Sequence, residues 1–306
     1  MQSPDLVPLL VICGPTATGK TGLSLALAEH LPGAEIISAD SRQVYRGTDI
    51  GTAKVSAADR ARIPHHGLDL ADPDERFSVA DFRRHALAAL HGIAQRGGMA
   101  ILVGGTGLYI RAVARGIALE EEGSDLAARA TYERRLAGEG LHTLVAELRS
   151  RAPTVAARTD TANPRRVLRA LERVDVVGDR PPPAPAGYPA PSVWIGLDTD
   201  TATNDRWIAE RAAAQLGGGL LEETAALRQR FDTSAPAFSA IGYGEALAVL
   251  DGALARDDAL ALMIRRTRQL ARRQRTWLRA EPGVEWLDAA AEPLPAALAV
   301  ARRIVG

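Results

Sequence analysis

The stretch "GPTATGKTGLS" (residues 14–24) decides how the rest of the chain is read. Gly14, Gly19, Lys20 and Thr21 complete the pattern G-x-x-x-x-G-K-[ST], a glycine-rich loop whose backbone N–H groups and lysine hold a chain of phosphates. The motif predicts a phosphate site between a strand and a helix. It leaves open whether a phosphoryl group is hydrolysed, is transferred, or only leaves as part of pyrophosphate.

The segments around this loop have the strand and helix patterns that the motif requires. "LVPLLVIC" (6–13) is an apolar run typical of a strand buried on both faces, and "TGLSLALAEHL" (21–31) has helical periodicity. Further strands are predicted in "AEIISAD" (34–40), "MAILVGG" (99–105) and "VWIGLD" (193–198). This alternation predicts an α/β fold, a doubly wound parallel sheet of the P-loop NTPase type, with the functional loops at the strand ends.

A helical region interrupts the alternating pattern. Residues 125–178 contain no convincing strand, and residues 178–192 are rich in proline and glycine, as in a linker. We therefore predict a helical insertion domain with a Pro-rich linker over residues 117–192. Residues 1–116 and 193–306 would form the α/β core, with helices from its last strand to the C-terminus.

Composition restricts the classes of protein that fit. The 306 residues are 46% hydrophobic and 24% charged with zero net charge, as in an ordinary globular protein. The single cysteine excludes an internal disulfide and any site that needs several cysteines. No apolar run approaches a membrane span, and the N-terminus lacks a basic segment and a cleavage site. We expect a cytoplasmic protein with no membrane association.

The acid at the end of the second strand has two interpretations. Asp40 could accept a proton from a nucleophile held at the strand end, or it could cap the following turn. A nucleoside triphosphatase would hold its metal with an acid on a neighbouring strand, but the strand 99–105 leads into Gly-Thr instead. The residues after Asp40 suit a nucleobase better than a metal: Ser41, Arg42, Gln43 and Tyr45.

A second glycine-rich turn, "GGTGLYIRAV" (104–113), opens another helix. Gly105 and Gly107 would let the backbone approach a ligand, to which Thr106 offers a hydroxyl. The alternative is a tight connection between a strand and a helix.

Arginine is concentrated near the C-terminus. The segment "RRTRQLARRQRTWLR" (265–279) contains seven arginines and no acid. Helical spacing places five of them on one face: Arg265, Arg268, Arg272, Arg275 and Arg279. Side chains of one sign repel each other unless anions neutralise them, so this stripe favours a polyanion such as RNA over a merely solvated face. Arg165, Arg166 and Arg169 form a second basic cluster in the insertion.

Taken together, these segments resemble one family, the tRNA dimethylallyltransferases (isopentenyl-tRNA transferases). The segments that match, in the family's order, are "GPTATGKT", "ISADSRQVYRGTDIGTAK", "ILVGGTGLYI", "NPRRVLRALE", "AIGYGEAL" and "RQLARRQRTWLR". The resemblance implies a P-loop core with an inserted helical domain. It also implies transfer of a dimethylallyl group from dimethylallyl diphosphate to the exocyclic amine of the adenosine 3′ of a tRNA anticodon, with diphosphate as the leaving group.

The resemblance also assigns roles to residues. Asp40 would be the general base and Thr106 would lie near the reacting centre, while Thr21 would help to hold Mg²⁺. The diphosphate would be bound by Arg211 and the loop residues Gly14, Pro15, Thr16, Ala17, Thr18, Gly19, Lys20 and Thr21. The tRNA anticodon stem-loop would contact four segments: Asp40, Ser41, Arg42 and Gln43; Asn163, Pro164, Arg165, Arg166 and Val167; Ser239, Ala240, Ile241, Gly242 and Tyr243; Arg272, Arg273, Gln274, Arg275, Trp277 and Arg279. We expect a monomer.

Some positions depart from the family's pattern. Trp207 replaces a basic residue, Gln215 replaces a methionine, and the insertion lacks the usual Asp-Pro at its start. These departures bear on tRNA contacts more than on the core chemistry. His65 and His66 match the family, but adjacent strand residues point to opposite faces, so we interpret the pair as structural.

Three other functions fit parts of the sequence. A nucleoside or metabolite kinase would explain the phosphate loop but neither the Asp40 segment nor the arginine helix. An isopentenyltransferase of free adenine nucleotides would leave the arginine helix and the insertion without a purpose. An RNA-binding protein that only senses nucleotide would not require Asp40.

Overall fold

The computed structural model describes residues 7–119 and 126–304, and its core is a six-stranded sheet. The strands are β1 (Leu9–Cys13), β2 (Ala34–Ser38), β3 (His65–His66), β4 (Met99–Gly104), β5 (Ser192–Asp198) and β6 (Val284–Asp288). They lie in the order β3-β2-β4-β1-β5-β6, and every neighbouring pair is parallel. The predicted α/β class with a parallel P-loop-type sheet is confirmed.

The central strand β1 is buried on both faces because its five residues are all apolar. Leu9 and Val11 point into one apolar cluster, and Leu10 and Ile12 point into a second cluster on the opposite face. Helices must cover both faces of such a strand, as is usual for parallel sheets. The carboxyl ends of β1, β2, β4 and β5 consequently meet at one edge, where the phosphate loop lies.

Twelve helices are described in the two ranges. They are α1 (Lys20–His30), α2 (Ala57–Arg62), α3 (Val79–Gln95), α4 (Gly107–Ala114), α5 (Leu126–Arg151), α6 (Pro153–Ala156), α7 (Pro164–Val177), α8 (Thr201–Gly217), α9 (Leu220–Arg228), α10 (Tyr243–Leu250), α11 (Arg256–Arg279) and α12 (Leu294–Ala301). The start of α3 has the expected capping box, in which Ser78 and Asp81 bond each other's backbone N–H. A short 3₁₀ helix, Pro236–Ser239, precedes α10.

The chain divides into two compact units, Met1–Gly116 with Gly187–Gly306, and Ile117–Ala186. The first contains the sheet. The second consists of α5, α6 and α7 around an apolar cluster of its own, which includes Leu144, Leu148 and Leu171. The end of the Pro-rich segment packs with the first unit, because Tyr188 donates a hydrogen bond to the Val7 carbonyl (2.8 Å).

The expectation that only helices follow residue 198 is wrong, since β6 pairs with β5 at the edge of the sheet. Glu285 and Asp288 are exposed, so the apolar signal of the short strand is weak. Its place depends on a contact distant in sequence. The Trp286 ring fills the space where a Cβ atom on Gly196 would lie.

Candidate active site

The phosphate loop leaves the end of β1 through a sharply coiled backbone. Gly14 lies so close to β5 that a Cβ atom there would overlap the carbonyl oxygen of Leu197. Ala17 and Gly19 have left-handed φ angles of 65° and 77°. A non-glycine residue rarely adopts this conformation, so Ala17 stores strain within the loop.

Two cations lie at this loop. Lys20 donates to the Pro15 carbonyl (2.6 Å), which also accepts from the Thr18 hydroxyl (2.9 Å). Burial, and then the charge of Arg211, lowers the pKa of Lys20 to about 8, while Asp40 opposes the shift. Burial likewise lowers the pKa of Arg211. A bound polyanion would offset both effects, so the site favours a ligand such as a diphosphate.

Thr16 is held from three directions. Its hydroxyl accepts a hydrogen bond from Arg211 (3.2 Å). Its backbone N–H donates to Gln274 Oε1 (2.8 Å), and its carbonyl accepts from Asn204 (3.1 Å). Three side chains from α8 and α11 therefore determine the position of Thr16, a residue predicted to bind the diphosphate.

Asp40 lies just beyond β2 and is half-exposed. Its Oδ1 accepts the backbone N–H of Arg42 (2.8 Å), which confirms the turn-capping interpretation for that oxygen. Its Oδ2 has no hydrogen-bond donor in the described residues. The carboxylate is near enough to Lys20 and Arg211 to act electrostatically on both. One oxygen is thus structural, and the other can accept a proton.

Thr106 connects the ends of two strands beside Asp40. Its Oγ1 accepts the backbone N–H of Ser41 (3.1 Å), and its own N–H donates to the Ala39 carbonyl (3.2 Å). The predicted catalytic residues Asp40 and Thr106 therefore belong to adjacent, mutually bonded loops.

The glycine-rich turn at 104–107 accommodates another part of the chain and not a ligand. A Cβ atom on Gly105 would overlap the Gln274 amide, and one on Gly107 would overlap the Trp277 ring. The ligand-approach interpretation is corrected for these two glycines, because α11 occupies the space that they leave.

Two segments predicted to contact tRNA meet each other. Arg42 donates to the Ser239 hydroxyl (2.8 Å) and to the Pro236 carbonyl (3.4 Å). Gln43 lies behind them and is engaged at both ends of its amide, by Ser38 and by the carbonyls of residues 52 and 53. A role for Gln43 in reading a base would require these bonds to exchange.

The rest of the 239–243 segment is mostly internal. Tyr243 is fully buried and donates to Glu223 (2.6 Å), whereas Ala240 and Gly242 are buried and Ile241 is half-buried. Glu223 also accepts the backbone N–H groups of residues 49–51. Tyr243 therefore anchors the loop 49–51, and Ser239 is the exposed member of the segment.

Gln215 and Lys54 serve this same loop. Gln215, a departure from the family's pattern, donates to the carbonyls of Ile50 and Gly51 (both 2.9 Å). Lys54 is fully buried, and its ammonium reaches the Tyr45 carbonyl (2.5 Å), Asp69 (2.6 Å) and Asp49 (2.9 Å). Three acceptors around one point suit a compact ammonium better than a planar guanidinium, which explains a lysine in an arginine-rich chain.

Three of the five stripe arginines on α11 have internal anions. Arg268 pairs with Asp205 (3.2 Å), and Arg275 and Arg279 both pair with Asp198 (2.8 Å each). Two carboxylates therefore offset most of the charge of these three arginines, and the inference of a wholly unneutralised stripe is wrong. Arg265 and Arg272 are exposed, as is Arg273, and none has an ion pair within the described chain.

Trp277 is also held internally, half-buried, with the guanidinium of Arg111 5.4 Å from its ring centroid. Arg272 and Arg273, which directly precede Gln274 on the helix, therefore remain available to a polyanion.

In the second unit, the segment 163–167 forms the start of α7. Asn163 caps the helix by accepting the N–H of Arg166, and Pro164 occupies the first turn. Arg165 is exposed, and Arg166 pairs with Asp160 (3.2 Å). Val167 is fully buried in the core of this unit, so its side chain has a packing role.

Three residues at the site were not identified from the sequence. They are Asp198, which ends β5, Asn204 on α8 and Glu223 on α9. Asp198 offered a signal, because "VWIGLD" ends in an acid as "AEIISAD" does. Asn204 and Glu223 act through partners more than 150 residues away, and nothing local marks them.

The chemistry of the side chains limits the metals that fit. Residues 7–119 and 126–304 contain no group of three or more His, Cys, Asp or Glu that could hold a metal ion. His65 and His66 bond separate partners, the Ile63 carbonyl and Glu35 (both 2.7 Å). Thr21 offers a hydroxyl oxygen, the type of ligand that suits a Mg²⁺ ion that binds with phosphates. In the same ranges, no helix is long and apolar enough to cross a membrane.

Comparison with known proteins identifies the family of the chain. A sequence model of the IPP transferase family matches residues 43–281. The chain is 43% identical over 294 residues to a tRNA dimethylallyltransferase of Salinispora arenicola, covering 94% of this chain and 84% of the relative. It is 42% identical over 299 residues to the Kocuria rhizophila protein of the same name, covering 94% of each.

A solved structure resembles the whole fold. The full-length tRNA isopentenylpyrophosphate transferase of Bacillus halodurans aligns with a TM-score of 0.72 and 37% identity, covering 98% of this chain and 96% of that one. The protein is therefore an enzyme of the IPP transferase family.

Proposed function

We propose that this enzyme transfers a dimethylallyl group from dimethylallyl diphosphate to tRNA. The acceptor is the exocyclic amine of the adenosine 3′ of the anticodon, in tRNAs that read codons beginning with U. In the reaction, the amine nitrogen forms a bond to the allylic carbon, and the carbon–oxygen bond to diphosphate breaks with its electron pair on oxygen. The amine loses a proton to Asp40.

The observation that carries this proposal is a carboxylate with one free oxygen that acts electrostatically on the two cations at the phosphate loop. Asp40 Oδ2 has no hydrogen-bond donor in the described chain, and the Asp40 carboxylate acts electrostatically on Lys20 and Arg211. The cations stabilise charge that develops on the departing diphosphate, and such electrostatic stabilisation is often the largest catalytic contribution. Since an aryl amine is a weak nucleophile, positioning and leaving-group stabilisation should contribute more than proton removal.

Mg²⁺ fits the same site through Thr21. Its side chain is exposed in the first turn of α1, directly after Lys20. A bound Mg²⁺ would offset charge on the diphosphate oxygens.

The target base must leave its stack to reach Asp40, as for other enzymes that modify a base. The exposed residues Arg272 and Arg273 on α11 would bind phosphates of the RNA backbone. The partner would be the anticodon stem-loop, and the enzyme a cytoplasmic monomer.

The test incubates the full-length protein with Mg²⁺ and labelled dimethylallyl diphosphate. One arm contains unmodified tRNA that reads U-starting codons, a second contains AMP, and a third replaces the labelled donor with ATP. We expect label in the tRNA alone and no ATP consumption. Label in AMP alone would move the enzyme to free nucleotides, and ATP turnover without allyl transfer would make it a kinase.

A further inference from the structure

Gln274 spans the space between α11 and the two loops of the donor site. Its Oε1 accepts the N–H of Thr16 (2.8 Å), and its Nε2 donates to the Gly105 carbonyl (3.0 Å). The side chain fits only because residue 105 is glycine, where any Cβ atom would overlap the amide. Both ends of the Gln274 amide are therefore used within the protein, although its neighbours Arg272 and Arg273 face solvent.

The peptide groups on both sides of Thr16 are fixed by these contacts. Gln274 accepts the N–H of Thr16, and Asn204 donates to its carbonyl. The next residue in the chain is the strained Ala17. Strained backbone persists where the surrounding structure holds it, and it is concentrated at functional sites. The Thr16 hydroxyl then lies where Arg211 reaches it.

Asn204 and Gln274 are part of one hydrogen-bond network. Arg275 donates to Asn204 Oδ1 (3.4 Å) and pairs with Asp198 (2.8 Å). Asn204 is buried, so its amide has no access to solvent for alternative partners. The network fixes the turn of α11 that carries Gln274 relative to the phosphate loop.

We propose that Gln274 is a positioning residue for the donor diphosphate, acting through Thr16, and that it does not contact tRNA. The inference rests on the proposed function for the identity of the donor. A single turn of α11 then has two roles, one in binding RNA and one in holding the phosphate loop. Arg272 and Arg273 face the polyanion, and the next residue holds the loop that binds the diphosphate. This revises the sequence-based assignment of Gln274 as a tRNA contact.

The test uses Gln274→Met, which keeps the length and helix propensity of the side chain but removes both hydrogen bonds. Arg273→Ala is the matched control on the exposed face. Calorimetry with inorganic diphosphate and Mg²⁺ measures the affinity of the phosphate loop for diphosphate in the absence of tRNA. Steady-state kinetics separate kcat and the KM values for dimethylallyl diphosphate and tRNA, and thermal unfolding checks that each variant is folded.

For Gln274→Met we expect about tenfold weaker diphosphate binding and a similar rise in donor KM, because the part-buried N–H of Thr16 loses its acceptor. The KM for tRNA should stay within about twofold. Arg273→Ala should show the reverse pattern. Unchanged diphosphate affinity in Gln274→Met, or a rise in tRNA KM alone, would overturn the proposal.

Gln274→Asn provides a second variant should Gln274→Met not fold. Its amide is one methylene too short to reach both loops, so the same donor-specific loss is expected, and normal diphosphate affinity would contradict the proposal. Diphosphate binding requires no transfer. A wild-type protein that modifies no tRNA, combined with weakened binding in the variant, would refute the proposed function and leave the role of Gln274 standing.

Discussion

The ends of β2 and β5 present the same local pattern, an apolar strand followed by an aspartate, with different results. Asp40 beyond β2 is half-exposed and uses one oxygen to hold its own turn. Asp198 in β5 is buried and is bonded by Arg275, Arg279 and the N–H of Thr199. The first carboxylate can accept a proton, and the second is fully engaged by arginines.

The difference lies in the elements that pack opposite each acid. α11 passes over the end of β5 and delivers two guanidinium groups to Asp198, whereas the cations near Asp40 belong to the phosphate loop and to α8. Whether a strand-end acid acts as a base or as an anchor therefore depends on helices far away in the sequence.

The largest expected effect distinguishes the two acids by activity. Asp40→Asn should lower kcat by about 10²- to 10⁴-fold, the range for removing a general base, with little change in the midpoint of thermal unfolding. Single-turnover transfer of labelled dimethylallyl to tRNA measures it.

Asp74→Asn is the matched control, an exposed aspartate without an ion pair in the described chain. It should retain wild-type activity. If Asp40→Asn turns over at the parental rate, Asp40 is only a turn cap. The functional difference between Asp40 and Asp198 would then be refuted.

Asp198→Asn should act mainly on stability. Two arginines would lose their buried partner, which should lower the free energy of unfolding by about 3 kcal/mol in urea titrations at pH 7. Although burial acts to raise it, the hydrogen bonds from Arg275 and Arg279 hold the pKa of Asp198 below its ordinary value. That stabilisation is present above the ordinary value and is lost as the pH falls below about 4, so wild type and variant should converge there. A constant difference down to pH 2 would argue against the ion pairs.

Lys20 predicts that the stability of the protein also depends on pH in the alkaline range. Lys20 has a pKa of about 8 in the folded protein and an ordinary value of 10.5. Because the unfolded chain binds the proton more tightly, the stability of the ligand-free protein should rise as the pH increases from about 8 to 10.5. Lys20→Met should lack this rise in denaturant titrations, and equal curves for the two proteins would show that Lys20 titrates normally.

The smallest expected effect concerns arginines on α11. Arg273→Ala should reduce the slope of log Kd for tRNA against log salt concentration by about 0.7 to 0.9, since one phosphate contact is lost. Arg279→Ala should reduce that slope less than Arg273→Ala does, because Arg279 already pairs with Asp198, a carboxylate that it shares with Arg275. Equal losses in the two variants would mean that the Asp198 pair opens when RNA binds.

Much of the sheet could be predicted because its signals are local. The phosphate-loop motif, the apolar runs of β1, β2, β4 and β5, and the capping box of α3 are each readable within about ten residues. β6 was missed because an exposed edge strand has little apolar signal, and it is identified only by its pairing with β5.

The candidate site was predictable in its residue types but not in its contacts. Asp40, Lys20 and Thr106 were named from motifs. The neutralisation of Arg275 and the approach of Gln274 to Gly105 depend on how α11 crosses the sheet, and no spacing within α11 encodes that crossing.

By itself, the sequence determined the phosphate loop, the parallel sheet around it and the acid at the end of β2, because short-range periodicity and steric preference specify them. Tertiary structure alone decided which of two strand-end acids stays available, which arginines face solvent, and that a glutamine 258 residues from Thr16 holds the loop. The physical reason is that charge and hydrogen bonding depend on distance in space, and packing brings together groups that the chain order keeps apart.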